Sequence, residues 1–211
     1  MSDTDIAIEI LRDGSTGAVD ELADLLLDTV QGGAGVSFMS DLTREQAIAW
    51  WRATLDGRHE RSAVLIARDA YGIVGTVQLQ PAWAPNQPHR ADVAKLMVHR
   101  RARGQGVARR LMQALESAAV EQRFSLLVLD TCKGSAAERL YSALGWIRVG
   151  EVPNFALNPD GSWCDTVFFY KPLTSGETRS CRGSRPDRAG GTCAAPTASS
   201  SARRPAFHQP P

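Results

Sequence analysis

Between Val98 and Ala108 the chain reads Val-His-Arg-Arg-Ala-Arg-Gly-Gln-Gly-Val-Ala, an Arg-x-x-Gly-x-Gly turn that joins a strand-like run to a helix-like run. Val93 to Val98 reads as the strand. After the turn, Val107, Leu111, Leu115, Ala118 and Ala119 recur at helical spacing and form one apolar face, so a helix is expected from near Gly104. The first turn of a helix leaves four N–H groups without partners at the positive end of its dipole, and glycines let a phosphate approach the backbone closely. Arg101 and Arg103 add fixed charge that suits a diphosphate better than a carboxylate. A Walker loop would need Gly-Lys-Ser/Thr here, and a dinucleotide fold would need Gly-x-Gly-x-x-Gly with an acidic residue about 20 positions on. Neither pattern is present. A tight turn with solvated arginines has the same local sequence, so the turn alone leaves both readings open.

A second constellation lies downstream. Leu126-Leu127-Val128-Leu129 is a continuous apolar run bounded by Ser125 and Asp130, and reads as a buried central strand. Residues 130–135 read as a loop. Ala136, Ala137, Leu140, Tyr141 and Leu144 then fall on helical spacing until Gly145 ends the helix. Ser135 is placed to cap that helix, with Glu138 three residues later in capping-box position.

Arg101-x-x-Gly104-x-Gly106 opening one helix, followed by Ala137-x-x-x-Tyr141-x-x-x-Gly145-Trp146, resembles the GCN5-related N-acetyltransferase (GNAT) superfamily. Within it, Leu129-Asp130-Thr131, Gly134-Ser135-x-Ala137-Glu138, Tyr141-Ser142-Ala143-Leu144 and Asn158-Pro159-Asp160-Gly161 are most similar to the tabtoxin-resistance acetyltransferases, over about residues 5 to 173. The resemblance implies a mixed α/β fold with a mostly antiparallel, twisted sheet flanked by helices. It also implies acetyl-CoA as co-substrate, no metal, and a small-molecule amine acceptor, a β-lactam amino-acid toxin among them. One departure is Gly134, where many members carry asparagine, so a side-chain contact from that position to the coenzyme is missing.

The implied chemistry is direct attack of an amine on the thioester. An amine of lysine-like pKa, about 10.4, is mostly protonated at neutral pH and needs a base. Asp130, at the end of the central strand and at the position the resemblance points to, is the first candidate, and Asp92 on the preceding strand is the second. Each also reads as an ordinary polar residue, Asp130 ending a strand and Asp92 facing solvent. Tyr141 is the expected general acid for the leaving thiolate, although its apolar helix stripe alone would make it a core tyrosine. The oxyanion is expected to meet a backbone N–H around Met97 to Val98, freed by a strand bulge. Coenzyme contacts are expected from Met97, Val98, Arg101, Arg103, Gly104, Gln105, Gly106, Val107 and Ala108. His89, in a Pro-rich lead-in, and His99, beside the phosphate loop, stay outside the catalytic set.

The rest of the chain reads as one domain, residues 1–173, and a disordered low-complexity tail, 174–211. Ile6 to Leu11, Ala63 to Arg68, Ile73 to Gln80, Trp146 to Val152 and Thr166 to Tyr170 read as strands. Leu22 to Val30, ended by Gly32-Gly33, and a segment capped by Thr43 and Gln46 read as helices. The loops Gly33 to Asp41 and Pro153 to Trp163 are expected to border the acceptor pocket, with Phe38, Trp83, Phe155 and Trp163 available as walls, and Arg90 or Lys95 as a cation for an acceptor carboxylate. The tail holds six arginines against Glu177 and Asp187, a net of +4, which leaves −3 on residues 1–173 of a chain of net +1. That charge suits weak, salt-sensitive contact with nucleic acid, but lysine–aromatic interleaving is missing and nucleic acid is not expected as a partner. Cys132, Cys164, Cys181 and Cys193 show no zinc-type spacing. No apolar run is long enough for a membrane span and no signal-peptide pattern is present, so the cytoplasm is the expected compartment. A homodimer stays open. The competing readings are a protein or peptide N-acetyltransferase and a non-catalytic coenzyme A sensor.

Overall fold

The computed structural model describes residues 6–12 and 15–173; the reading of 174–211, with Cys181 and Cys193, lies outside the described residues. Seven strands form one sheet: β1 (Ala7–Ile10), β2 (Ala63–Asp69), β3 (Gly72–Pro81), β4 (Arg90–Val98), β5 (Leu126–Cys132), β6 (Ile147–Leu157) and β7 (Trp163–Pro172), in the order β1-β2-β3-β4-β5-β7-β6. Every adjacent pair is antiparallel except β4 and β5. The helices are α1 (Thr16–Gln31), α2 (Arg44–Asp56), α3 (Val107–Glu121) and α4 (Ala136–Ala143). This is the mixed, mostly antiparallel α/β architecture expected.

Two cores follow from strand alternation. On β2, Ala63, Leu65 and Ala67 join the core that holds Leu111 and Leu115 of α3, whereas Val64 and Ile66 join the one built on α1 and α2. The α1–α2 layer is fixed by its helix starts. Ser15 accepts the Ala18 N–H, and Thr43 and Gln46 exchange side-chain and backbone bonds in a complete capping box. Such caps contribute about 1 kcal/mol each. Trp51, fully buried in this layer, is the larger stabiliser, and its truncation to alanine would cost about 3–5 kcal/mol.

Three of the boundary shifts bear on the site. Helix α3 starts at Val107 rather than near Gly104, because Gly104 and Gly106 hold φ of 76° and 75°, outside the helical region. A single 3-10 turn, Arg100–Ala102, precedes them. Strand β5 continues to Cys132, since β7 supplies ladder partners for Asp130, Thr131 and Cys132; Asp130 therefore lies in the strand, not at its end. Pairing with β7 likewise extends β6 to Leu157, which shortens the expected 153–163 loop to residues 158–162. No helix of the described residues is long and apolar enough to cross a membrane.

Candidate active site

The parallel strands β4 and β5 pair through Arg90↔Leu126, Ala91↔Leu127 and Asp92↔Val128, and then part. Beyond that point the outer edge of β4 opens onto a cavity of about 600 Å³. The His99 N–H donates to the Val74 carbonyl at 2.9 Å, and Val98 stands opposite Gly75. Backbone groups of an antiparallel strand alternate between its two edges, so the Val98 N–H points away from β3 and into the opening that β5 has vacated.

The bulge in β4 lies two residues before the expected place. Thr76 pairs with Met97 and Gln78 with Ala94, so Val77 alone faces Lys95 and Leu96, and Lys95 takes φ of 55°. Met97 and Val98 stay in register. The Leu-Met-Val sequence carries no mark of the irregularity.

Most of the turn Arg100 to Ala108 meets the cavity, but its arginines divide. Arg100 is drawn to the nearly buried Asp28 of α1, which also accepts the Arg100 N–H at 3.0 Å. Arg101 is held by Asp69 at the β2–β3 turn and lies over the Tyr71 ring, so its guanidinium is turned from the cavity. Gln105 folds back to the Arg101 carbonyl at 3.1 Å and braces the turn from outside. The other coenzyme candidates, Met97, Val98, Arg103, Gly104, Gly106, Val107 and Ala108, all line the cavity. Arg103 is anchored there by its Nε bond to the Val98 carbonyl at 3.1 Å.

Arg109 also lines the cavity, a contribution the sequence alone left indistinguishable from that of its neighbour Arg110, which reaches the Ile6 carbonyl at 2.6 Å. A Cβ placed on Gly104 or Gly106 would meet no protein atom within 4 Å. Their side of the turn is open, and with Arg103 and Arg109 alongside the N-terminus of α3 it fits a diphosphate.

The opposite wall is α4. Ser135 accepts the Glu138 N–H at 3.1 Å as N-cap, while the Glu138 carboxylate accepts from Gly134 N at 2.6 Å, one residue earlier than a capping box requires. Ser135, Ala137 and Leu140 face the cavity. Tyr141, one position on, is 5% exposed, with its ring against Trp146 and Phe169. Burial, then the charge of Asp130, pushes its phenol well above the ordinary tyrosine value. Its hydroxyl has no hydrogen-bond partner among the described residues.

Asp92, Asp130 and Lys95 share one face of the sheet at the cleft. Burial raises the Asp130 carboxyl above the usual range, Lys95 opposes that rise and Asp92 adds to it. Asp92 is raised by burial against the pull of Arg90, whose Nη1 donates to it at 2.8 Å. Burial lowers Lys95 to about 8, with Asp130 pulling the other way. Asp130 thus lies within electrostatic reach of Asp92, Lys95 and Tyr141, whereas none of the three predicted catalytic residues, Asp92, Asp130 and Tyr141, lines the cavity of about 600 Å³. Of the suggested walls, Phe38 packs edge-on against Trp50, whereas Trp83, Phe155 and Trp163 are largely exposed. No group of three or more His, Cys, Asp or Glu side chains placed to hold a metal ion occurs among the described residues.

The sheet splits beside a glycine-rich helix entrance, with α4 as the far wall of the cavity. The chain belongs to the acetyltransferase (GNAT) family, whose sequence model matches residues 21–146. An uncharacterized N-acetyltransferase from the hisH-hisA intergenic region of Azospirillum brasilense is 30% identical over 129 residues, covering 60% of this chain and 76% of that one. A GCN5-related N-acetyltransferase from Kribbella flavida is 24% identical with a TM-score of 0.66 over 80% of this chain and 98% of its own. A Salmonella typhimurium protein solved with its cofactor acetyl-CoA is 18% identical, with a TM-score of 0.65 over 87% of this chain and 98% of its own. At these identities the two solved structures share the fold.

Proposed function

We propose that this acetyltransferase moves the acetyl group of acetyl-CoA directly to an amine of a small molecule. The observation that carries this reading is the cavity where β4 and β5 part, walled by the glycine turn and the start of α3 on one side and by α4 on the other, with Asp130 in electrostatic reach of Asp92 and Tyr141. In this reading Gly104, Gly106, Arg103 and Arg109 hold the diphosphate, and the Val98 N–H stabilises the oxyanion. Asp130 takes the proton from the attacking amine, and Tyr141 supplies one to the departing thiolate. Asp92 tunes Asp130 and is the alternative base.

A small acceptor suits the tie between the two loops proposed to border the acceptor. The loop between α1 and α2 is tied across to the β6–β7 turn by the Ser40 N–H, which donates to the Pro159 carbonyl at 3.0 Å. Both cations first considered for an acceptor carboxylate are engaged: Arg90 binds Asp92 and Gln87, and Lys95 binds the loop. That arrangement favours a cationic amine over a zwitterionic β-lactam amino acid. The test is release of free thiol from acetyl-CoA across aminoglycosides, β-lactam amino acids and peptides. Preferential turnover of aminoglycoside-type amines is expected; faster turnover of peptides would overturn the small-molecule reading.

A further inference from the structure

Val93 belongs to the core on the α3 side of the sheet and Met97 to the core on the α1 side, although unbroken alternation puts residues four apart on one face. The extra residue in the β4 bulge reverses the parity between them, and it carries Lys95 onto the α1–α2 face of the sheet. There the Lys95 ammonium donates to the Val36 carbonyl at 2.6 Å and to Ser37 Oγ at 2.9 Å. It also stands 5.2 Å from the Phe38 ring centroid and 5.3 Å from that of Trp50, within cation–π range of both.

We propose that Lys95 is a positioning residue for the acceptor, tying the α1–α2 loop to the strand whose next residues line the coenzyme cavity. This rests on the acetyl-transfer reading above. Three features support it. Lys95 and Ser37 both hold positive φ, 55° and 73°, without being glycine, and such conformations persist only where the surroundings impose them. The same loop is held at its far end by the Ser40–Pro159 bond, so Lys95 provides its second tether, on the coenzyme side. The lysine also faces Asp130, so one side chain sets the loop and biases the candidate base together.

The test compares wild type with Lys95→Met, which keeps the length of the side chain and removes its donors, and with Ser37→Ala, which removes one acceptor should the first variant fail to fold. Amide hydrogen exchange is followed without substrates, coenzyme A binding by calorimetry, and steady-state kinetics with an aminoglycoside acceptor. The expected result is at least tenfold faster exchange over residues 33–41, coenzyme A affinity within twofold of wild type, and an acceptor KM raised at least tenfold. Unchanged exchange would overturn the tether, and it would do so even if no amine were acetylated, an outcome that sinks the acetyl-transfer reading by itself. Faster exchange with an unchanged acceptor KM, or with an equal loss of coenzyme affinity, would overturn the positioning role.

Discussion

The Trp146 N–H donates to the carbonyl of Tyr141 at 3.1 Å, so the residue proposed as general acid also anchors the end of its own helix. Gly145, between the helix and Trp146, holds φ of 78° and donates to Ser142 at 3.1 Å, which completes a Schellman cap. The Trp146 ring then packs 5.9 Å from that of Tyr141, and its Nε1 is fixed by Glu116 at 3.0 Å. The Tyr-x-x-x-Gly-Trp spacing is thus a device for holding one aromatic ring still.

Gly145→Ala must place a Cβ in the left-handed region, at a cost of about 1–2 kcal/mol. For a domain of this size that is a fall in Tm of roughly 2–8 °C. Turnover is expected to fall with it, because the Tyr141 ring loses its seat. Thermal unfolding alongside kcat checks both, and an unshifted Tm would show that the cap contributes nothing.

Tyr141→Phe removes the hydroxyl and leaves the packing. Since burial and Asp130 hold the phenol above its ordinary value, Tyr141 stays protonated throughout the neutral range, as the proposed donor role requires. Loss of a general acid lowers turnover by on the order of 10²-fold, with coenzyme affinity unaltered. Single-turnover kinetics measures this directly; a wild-type chemical step would assign the proton to another group.

The pH dependence separates the two carboxylates. A base acts only when ionised, so a raised Asp130 loses rate as pH falls through a value above the ordinary 3.8, and the acid limb lies higher than for a free aspartate. Removing the Asp92 charge takes away one cause of that rise, so Asp92→Asn moves the limb to lower pH. Asp130→Asn abolishes the limb together with most of the rate. A limb that survives in Asp130→Asn and vanishes in Asp92→Asn would exchange their roles.

These features differ in how far the sequence disclosed them. Gly145 and the Thr43–Gln46 box were legible because a left-handed residue and a capping side chain act over three or four positions. The partition of arginines was not legible, because Arg101 is claimed by Asp69, 32 positions away, and Arg100 by Asp28, 72 away. A bulge was expected at Met97 to Val98, but its place at Lys95 and Leu96 was hidden for a related reason: a strand-like run reads the same wherever its one extra residue is set against the partner strand. The length of β5 likewise depended on β7, about 35 residues downstream of the central strand.

In the proposed site Gly106 and Arg109 serve the same ligand through different physics, and salt tells them apart. Gly106→Val forces a β-branched residue to a φ near 75° at the residue where α3 begins, displacing the first N–H groups of the helix, and coenzyme A affinity is expected to fall more than tenfold at any ionic strength. Arg109→Ala removes a charge-assisted contact of about 1.5–3 kcal/mol, a loss of roughly ten- to a hundredfold. The Debye length shrinks from about 10 Å at 0.1 M salt to about 3 Å at 1 M, so the gap between Arg109→Ala and wild type should narrow as salt rises while that for Gly106→Val persists. Calorimetric titration with coenzyme A at both ionic strengths measures the two gaps. If both variants kept wild-type affinity and a native fold, the diphosphate would have to lie elsewhere than at the entrance of α3.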